Sequence, residues 1–334
     1  MPIGGGRAAA CPRSIGILGL DAPGSAVGRR LLLARPFGTV IVAYGTPSQT
    51  LTELQQAGAL RAVSAADLAA RSEVIIVMVD DLAELEAQLA GSSGLVAGVH
   101  SPTTLIVGTA LPPDGLRQHG RDLADATAGL LRIVDAPLTG SAADIAHGTS
   151  SILVGAGIAS YERVQPVLDL LGSSVRVGPL GAGQIATATS QLVTAAIGIA
   201  LGEAAVLAER SGLDLLRMLS AWQNAAIARL AGPAPGLALD PEREAVRPAE
   251  VPLRPTGAVL PWLRLAEREA MRTGTRAELL ATLLELYAGI AREGLDDADI
   301  SNTRSYVAGR PGTVLEPPGL PEVKPPLRED SAAS

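Results

Sequence analysis

The chain is almost without lysine: of its 334 residues only Lys324 carries a side-chain amine, and it stands in a proline-rich stretch near the end of the sequence. No lysine is left elsewhere to act as an acid, a base or a Schiff-base former. Cysteine is nearly as scarce. Cys11 alone cannot close an intramolecular disulfide or build a thiolate cluster, which suits a reducing, cytoplasmic setting. Aromatic residues are 2% of the chain against a hydrophobic fraction of 47%, so the core has to be assembled from Ala, Val, Leu and Ile. There are 3 histidines, and no group of His, Asp and Glu has metal-ligand spacing, so no metal site is expected. The net charge of −7, with Arg interspersed among the acids, argues against a nucleic-acid surface. No continuous apolar run precedes Ile15, so a cleaved signal peptide is not expected. The longest apolar stretch, Leu192 to Leu207, is interrupted by Glu203 and reads as a buried helix rather than a membrane span.

What is present is an alternation. Short β-branched runs at Ser14–Gly19, Thr39–Tyr44, Val74–Val79, Thr104–Gly108, Arg132–Asp135, Ser151–Gly155 and Ser174–Val177 are separated by helical patterns. Continuous apolar strands in that rhythm predict an α/β fold: a doubly wound, mostly parallel Rossmann-type sheet with helices on both faces. Beyond Gly178–Gly183 the strand signal stops. Helices are expected at Gln184–Ser211, Asp214–Leu230, Val259–Thr273, Arg276–Arg292 and Asp297–Val307, giving an all-helical second domain. The expected organisation is a flexible start over residues 1–13, a dinucleotide-binding domain over 14–180 and a helical dimerisation and substrate domain over 181–308. A Pro-rich connection interrupts the latter at 232–257, and residues 309–334 read as a disordered tail.

The first strand runs through Gly19-Leu20-Asp21 to Gly24 at the start of a helix. A dinucleotide fold sets its pyrophosphate at such a junction and spaces it Gly-x-Gly-x-x-Gly, the middle glycine letting the backbone approach the phosphates. Gly19 and Gly24 fit, whereas Asp21 stands at the middle position with bulk and negative charge. It is expected to cap the helix in the place a phosphate would take. The second strand ends at Tyr44-Gly45-Thr46, with neither an acid for the ribose hydroxyls nor an arginine for a 2′-phosphate. The residues therefore leave NAD and NADP undecided, and an ordinary capped helix remains an equal reading.

Three further stretches carry a resemblance. Asp135-Ala136-Pro137-Leu138-Thr139-Gly140-Ser141 is similar to the substrate-loop motif Asp-Ala-Pro-Val-Ser-Gly-Gly of the β-hydroxyacid dehydrogenases, the group of 3-hydroxyisobutyrate dehydrogenase, and of their relatives the imine reductases. Val177-Gly178-Pro179 followed by Gly181-Ala182-Gly183-Gln184 resembles the opening of that family's interdomain helix, and Gly148-Thr149 with Leu153-Val154-Gly155 adds agreement. The long Gln184–Ser211 helix, nearly encircled by apolar residues, predicts a homodimer built through the helical domain. The resemblance implies an NAD- or NADP-dependent oxidoreductase acting on a small molecule. It sets the catalytic lysine at Thr187, the substrate-binding asparagine at Gln191, the substrate-loop serine at Thr139 and a nicotinamide-side serine at Thr109. The later Lys-Asp pair falls on Pro261-Trp262. The candidate catalytic residues are thus Thr187, Gln191 and Thr139, and the cofactor candidates are Gly19, Leu20, Asp21, Gly24, Tyr44, Thr46 and Thr109.

Read without the family, Gln184, Thr187, Gln191 and Thr194 recur at spacings of three and four and form one polar stripe on an otherwise apolar helix. Such a stripe serves either a ligand or helix-to-helix and back-bonded hydrogen bonds. His100 and His119 are expected in solvent, and His147 is a surface residue or a substitute proton donor. Two functions stay open: a lysine-free NAD(P)H-dependent reductase, suited to an already protonated iminium, and a cofactor-free pseudoenzyme or non-redox enzyme reusing the cleft.

Overall fold

The computed structural model describes residues 11–139, 142–214, 217–218, 238–240, 245–247, 256–295 and 306–307. Strands β1 (Ser14–Leu18), β2 (Val40–Tyr44), β3 (Leu60–Arg61), β4 (Val74–Val77), β5 (Thr103–Val107) and β6 (Leu131–Asp135) lie in the order β3-β2-β1-β4-β5-β6, all parallel. Past β6 the direction reverses. β8 (Ser150–Gly155) meets β6 antiparallel at Asp135 and Gly155, pairs antiparallel with β7 (Leu138–Thr139), and pairs parallel with β9 (Gly172–Gly178).

Helices cover both faces: α1 (Ala22–Ala34), α2 (Gln49–Gln56), α3 (Ala65–Ala70), α4 (Leu82–Leu89), α5 (Leu95–Gly98), α6 (Pro113–Ala126), α7 (Ala142–His147) and α8 (Ile158–Leu168). Their starts are set by local chemistry. Ser48, Ser64 and Asp81 accept the backbone N–H of Leu51, Asp67 and Glu84 at 3.2, 3.0 and 2.8 Å, ending the preceding loop in a cap. The sheet's side chains alternate between two apolar layers, one holding Ile15, Ile17, Ile41 and Ile76, the other Leu18, Val42, Ile75 and Leu105. Each such side chain, taken out of water, stabilises the fold by about 1.5–3 kcal/mol, so strands buried on both faces need no aromatic residue.

The chain then enters α9 (Ala182–Arg210), 29 residues long, which packs with α10 (Leu260–Thr273) and α11 (Glu278–Arg292) around Leu263, Leu283 and Tyr287. By length and composition α9 could cross a membrane. Its first turn is nevertheless bonded to the sheet, and Ala188, Ala195 and Ile199 are packed in the helical core. The helices expected over Asp214–Leu230 and Asp297–Val307 fall largely outside the described residues, as do the terminal segments and most of the Pro-rich connection. Within that connection, β10 (Ala238–Asp240) and β11 (Ala245–Arg247) pair antiparallel, a small hairpin that the proline content did not suggest.

Candidate functional site

A cleft of about 680 Å³ opens at the carboxyl ends of β1, β2 and β4, where the parallel strands deliver their loops. Gly19, Leu20, Asp21, Tyr44 and Thr46 all line it, as expected of them from sequence. Gly19 turns the chain with φ +86°, and a Cβ there would lie 1.9 Å from the Met78 carbonyl oxygen, so only glycine fits. Gly24 is not in the lining; it lets α1 sit against the Gly19 carbonyl, which a Cβ would approach to 2.1 Å.

The amino terminus of α1 has few donors left. Asp21 Oδ1 accepts the Gly24 N–H at 3.0 Å, the Ser25 N–H goes to the Asp21 carbonyl at 2.7 Å, and Pro23 has no N–H. Burial raises the Asp21 carboxyl above its usual range, the Gly24 N–H opposes this, and nearby Asp80 adds to it. Asp80 and Glu84 continue an acidic wall, joined by the Asp80 N–H donating to Glu84 Oε2 at 2.8 Å. The other end of the cleft is of opposite character. Thr46, Ser48 and Thr50 line it together with Arg61, whose guanidinium has no partner among the described residues. Arg29, by contrast, is spent on Glu53 at 2.8 Å, and Arg30 on the Leu170 carbonyl at 2.7 Å. Sequence reasoning missed Arg61 because its strand is two residues long.

The second constellation is built on α9. Asp135, at the end of β6, is fully buried and accepts the Gly181 N–H at 2.7 Å and the Gln184 N–H at 2.8 Å, so it caps the long helix from another strand. Gly155 and Gly183 lack side chains for this reason: a Cβ on Gly155 would stand 2.1 Å from Asp135 Oδ1. Burial pushes the Asp135 carboxyl up to about 6, against the pull of the Gly181 and Gln184 amides. Gln184 extends the tie. Its Oε1 accepts the Leu111 N–H at 3.1 Å and its Nε2 donates to the Thr109 carbonyl at 2.8 Å, while the Thr109 hydroxyl donates to Val79 O at 2.7 Å.

One turn on, Thr187 is 0% exposed and its hydroxyl has no hydrogen-bond partner. Gln191, 4% exposed, follows on the same face and is bonded. Thr194 ends the stripe by donating to Ser190 O at 3.1 Å, the back-bonded arrangement. The polar stripe therefore divides: Gln184 is structural, Thr194 satisfies itself, and Thr187 is left with an orphaned hydroxyl. Thr139, on β7, donates to Ser151 O at 2.8 Å, and α9 packs along the same β8. Thr109 is absent from the cleft lining and meets α9 instead. Pro261 and Trp262 open α10, with Trp262 packed on the helical core. His147 is exposed at the end of α7, its Nδ1 2.7 Å from Ala143 O, and α7 packs on α1. His100 is exposed, whereas His119 is not in open solvent: it is half-buried, with Nε2 3.3 Å from Glu86, because α6 lays it against α4. Among the described residues no three His, Cys, Asp or Glu side chains gather as metal ligands would.

Comparison with known proteins gives this geometry a lineage. Residues 14–179 match the family model of the NAD binding domain of 6-phosphogluconate dehydrogenase. Over 204 residues the chain is 31% identical to L-threonate dehydrogenase of Cupriavidus necator, an alignment covering 60% of this chain and 67% of that protein. It is 30% identical over 170 residues to 2-hydroxy-3-oxopropionate reductase of Escherichia coli, covering 51% and 57%. Among solved structures, Mycobacterium tuberculosis 3-hydroxyisobutyrate dehydrogenase with L-serine superposes with a TM-score of 0.76 at 22% identity, over 90% of this chain and 100% of that one. An imine reductase from a Pseudomonas species gives 0.52 at 20% identity, over 89% and 99%. The sequence alignments span 57% to 69% of the length of the curated relatives. With its NAD-binding type of sheet, its interdomain helix and these relatives, the chain belongs to the β-hydroxyacid dehydrogenase superfamily, the group of 3-hydroxyisobutyrate dehydrogenase.

Proposed function

We propose that the chain is a nicotinamide-dependent oxidoreductase whose site supplies no protein proton, and that it reduces an imine or a similar small substrate that arrives already protonated. The observation that carries this reading is Thr187: a buried, unpartnered hydroxyl stands where the superfamily's lysine is expected, and a hydroxyl is a poor acid near neutral pH. Gln191 beside it is an amide, with no proton to exchange at that pH. Asp135 is the one raised carboxyl close to α9 among the described residues, and both its oxygens are occupied by the helix amides. What these side chains do is orient: Thr187 and Gln191 offer hydrogen bonds from one helix face, and Gln184 fixes that face against the loop of Thr109.

The cleft fits a nicotinamide dinucleotide in outline. Its volume, its place at the carboxyl ends of the parallel strands and the hydroxyl-rich end around Thr46 suit the adenosine half, and the bound cofactor would supply the hydride. One group conflicts, the Asp21 carboxylate at the pyrophosphate seat. Losing such a cap costs about 0.5–2 kcal/mol, so Asp21 is able to give way at a loss of affinity. That conflict also favours a second reading, a cofactor-free relative whose cleft serves non-redox binding. A homodimer through the helical unit is supported by the exposed apolar Val193 and Leu207 on α9, 58% and 67% exposed.

The test is a side-by-side assay of the unmodified protein with NADPH and NADH. Turnover of a cyclic imine, with 3-hydroxyisobutyrate oxidised at least about a hundredfold more slowly, is the expected result, since a positioned base contributes about 10²- to 10⁴-fold. Efficient oxidation of the hydroxyacid would place the proton-transfer site elsewhere, and the absence of both activities together with the absence of dinucleotide binding would favour the second reading.

A further inference from the structure

The cleft is electrically two-sided. At the α1 end the wall is acidic, with Asp21, Asp80 and Glu84 facing the space and the α1 amides already used by Asp21 and Ser25. At the β2–β3 end the charge is positive: Arg61 projects from the edge strand with no counter-ion among the described residues. Three hydroxyls, of Thr46, Ser48 and Thr50, line the same end. Ser48 Oγ accepts the Leu51 N–H at 3.2 Å, which leaves its own O–H free to donate. The carboxylate that would hold two free ribose hydroxyls is missing after β2, and Glu53, the next acid along the chain, is turned to Arg29 outside the cleft.

These features sort a ligand by where its phosphate sits. We propose that the cleft selects adenosine compounds carrying a 2′-phosphate, held by Arg61 with the hydroxyls of Thr46, Ser48 and Thr50, and disfavours those whose phosphate lies at the 5′ position, against Asp21. For the cofactor, whose two forms share the 5′-linked pyrophosphate and meet Asp21 alike, the Arg61 end alone discriminates and makes the chain an NADP(H) rather than an NAD(H) protein, a consequence that rests on the dinucleotide reading above. The physical reasons are two. A guanidinium meets a phosphate through two parallel charge-assisted hydrogen bonds, which hydroxyls alone do not replace. A 5′-phosphate brought to the α1 end meets a carboxylate where a dinucleotide fold usually offers free amides.

Small probes separate the two ends. Calorimetric titration of the full chain with adenosine 2′-monophosphate and adenosine 5′-monophosphate should show the 2′ compound binding about tenfold tighter or more, because it forms a charge-assisted hydrogen bond to Arg61 and escapes the repulsion at Asp21. Arg61→Gln should bring the two to near parity, and Arg61→Lys should fall between. Arg61 is exposed, so these variants keep the fold, which an unchanged melting temperature would verify. Equal or tighter binding of the 5′ compound, no measurable binding of the 2′ compound, or a preference that survives Arg61→Gln would overturn the proposal. NADPH and NADH are titrated in parallel into the unmodified chain and Asp21→Gly. Arg61-dependent binding of the 2′ compound, with neither protein binding NADPH, would uphold the phosphate selectivity and sink the dinucleotide reading.

Discussion

Asp21 and Asp135 both accept backbone amides at the start of a helix, and their surroundings make them different devices. Asp135 is sealed between β6, β8 and α9, with glycines at 155 and 183 cleared to admit it. Its bonds reach across 46 and 49 residues and fasten the helical unit to the sheet. Asp21 bonds three residues ahead and faces an open cleft. A cap that is buried and long-range is architecture, whereas a cap that is local and exposed to a ligand's path competes with the ligand.

The sharpest way to break this comparison is to delete each carboxylate. Asp135→Ala strands the Gly181 and Gln184 amides in the core and should lower unfolding stability by about 2–4 kcal/mol in a urea titration. Asp21→Gly should change it by only a few tenths of a kcal/mol. Equal losses would show that both aspartates are structural.

Proton linkage gives the next effect in size. The folded pKa of Asp135 is raised, to about 6 from an ordinary 3.8, so the folded state holds the proton more tightly than the unfolded chain. The contribution is therefore complete below about pH 4 and is lost as pH rises through about 6, on the order of 3 kcal/mol in all. Melting curves between pH 4 and 7 should carry this slope, and Asp135→Asn should flatten it. A slope that persists in the Asn variant would assign it to other carboxyls.

Smaller again is the effect of Asp21→Gly on binding, a rise of about tenfold in dinucleotide affinity from removing both repulsion and the competing cap, read by calorimetry. Unchanged affinity would mean that the cap never stood in the way. The smallest effect is expected at Thr187. Replacing its unpartnered hydroxyl by a methyl in Thr187→Val should leave stability within about 1 kcal/mol, on the stabilising side, because no hydrogen bond is lost. A large loss in a thermal melt would reveal a partner for that hydroxyl in the folded protein.

Local chemistry was legible in the sequence and long-range chemistry was not. The seven longer strands could be read because each is a continuous β-branched run, while Leu60–Arg61 and Leu138–Thr139 are too short for any periodicity to register. The Asp21 cap could be read because donor and acceptor are three residues apart. Asp135 could be noticed only as part of a motif, since its partners lie on another element, and the reversal of direction at β8 is a pairing of one residue with one residue, Asp135 with Gly155. Arg61 carries the one unpaired positive charge found in the cleft among the described residues, yet nothing beside it in sequence marks it.

The hydrogen bonds of Asp135, Thr109 and Leu111 form a collar at the first turn of α9, beside its packing along β8. The whole helix is 29 residues long, and its later turns pack with α10 and α11. Geometry makes that first turn decisive for placement: over a rod about 43 Å long, a difference of about 5° in its angle at the collar would displace the far end by about 4 Å. The one aspartate that fixes this angle thereby fixes where α10 and α11, packed on the same rod, stand relative to the sheet.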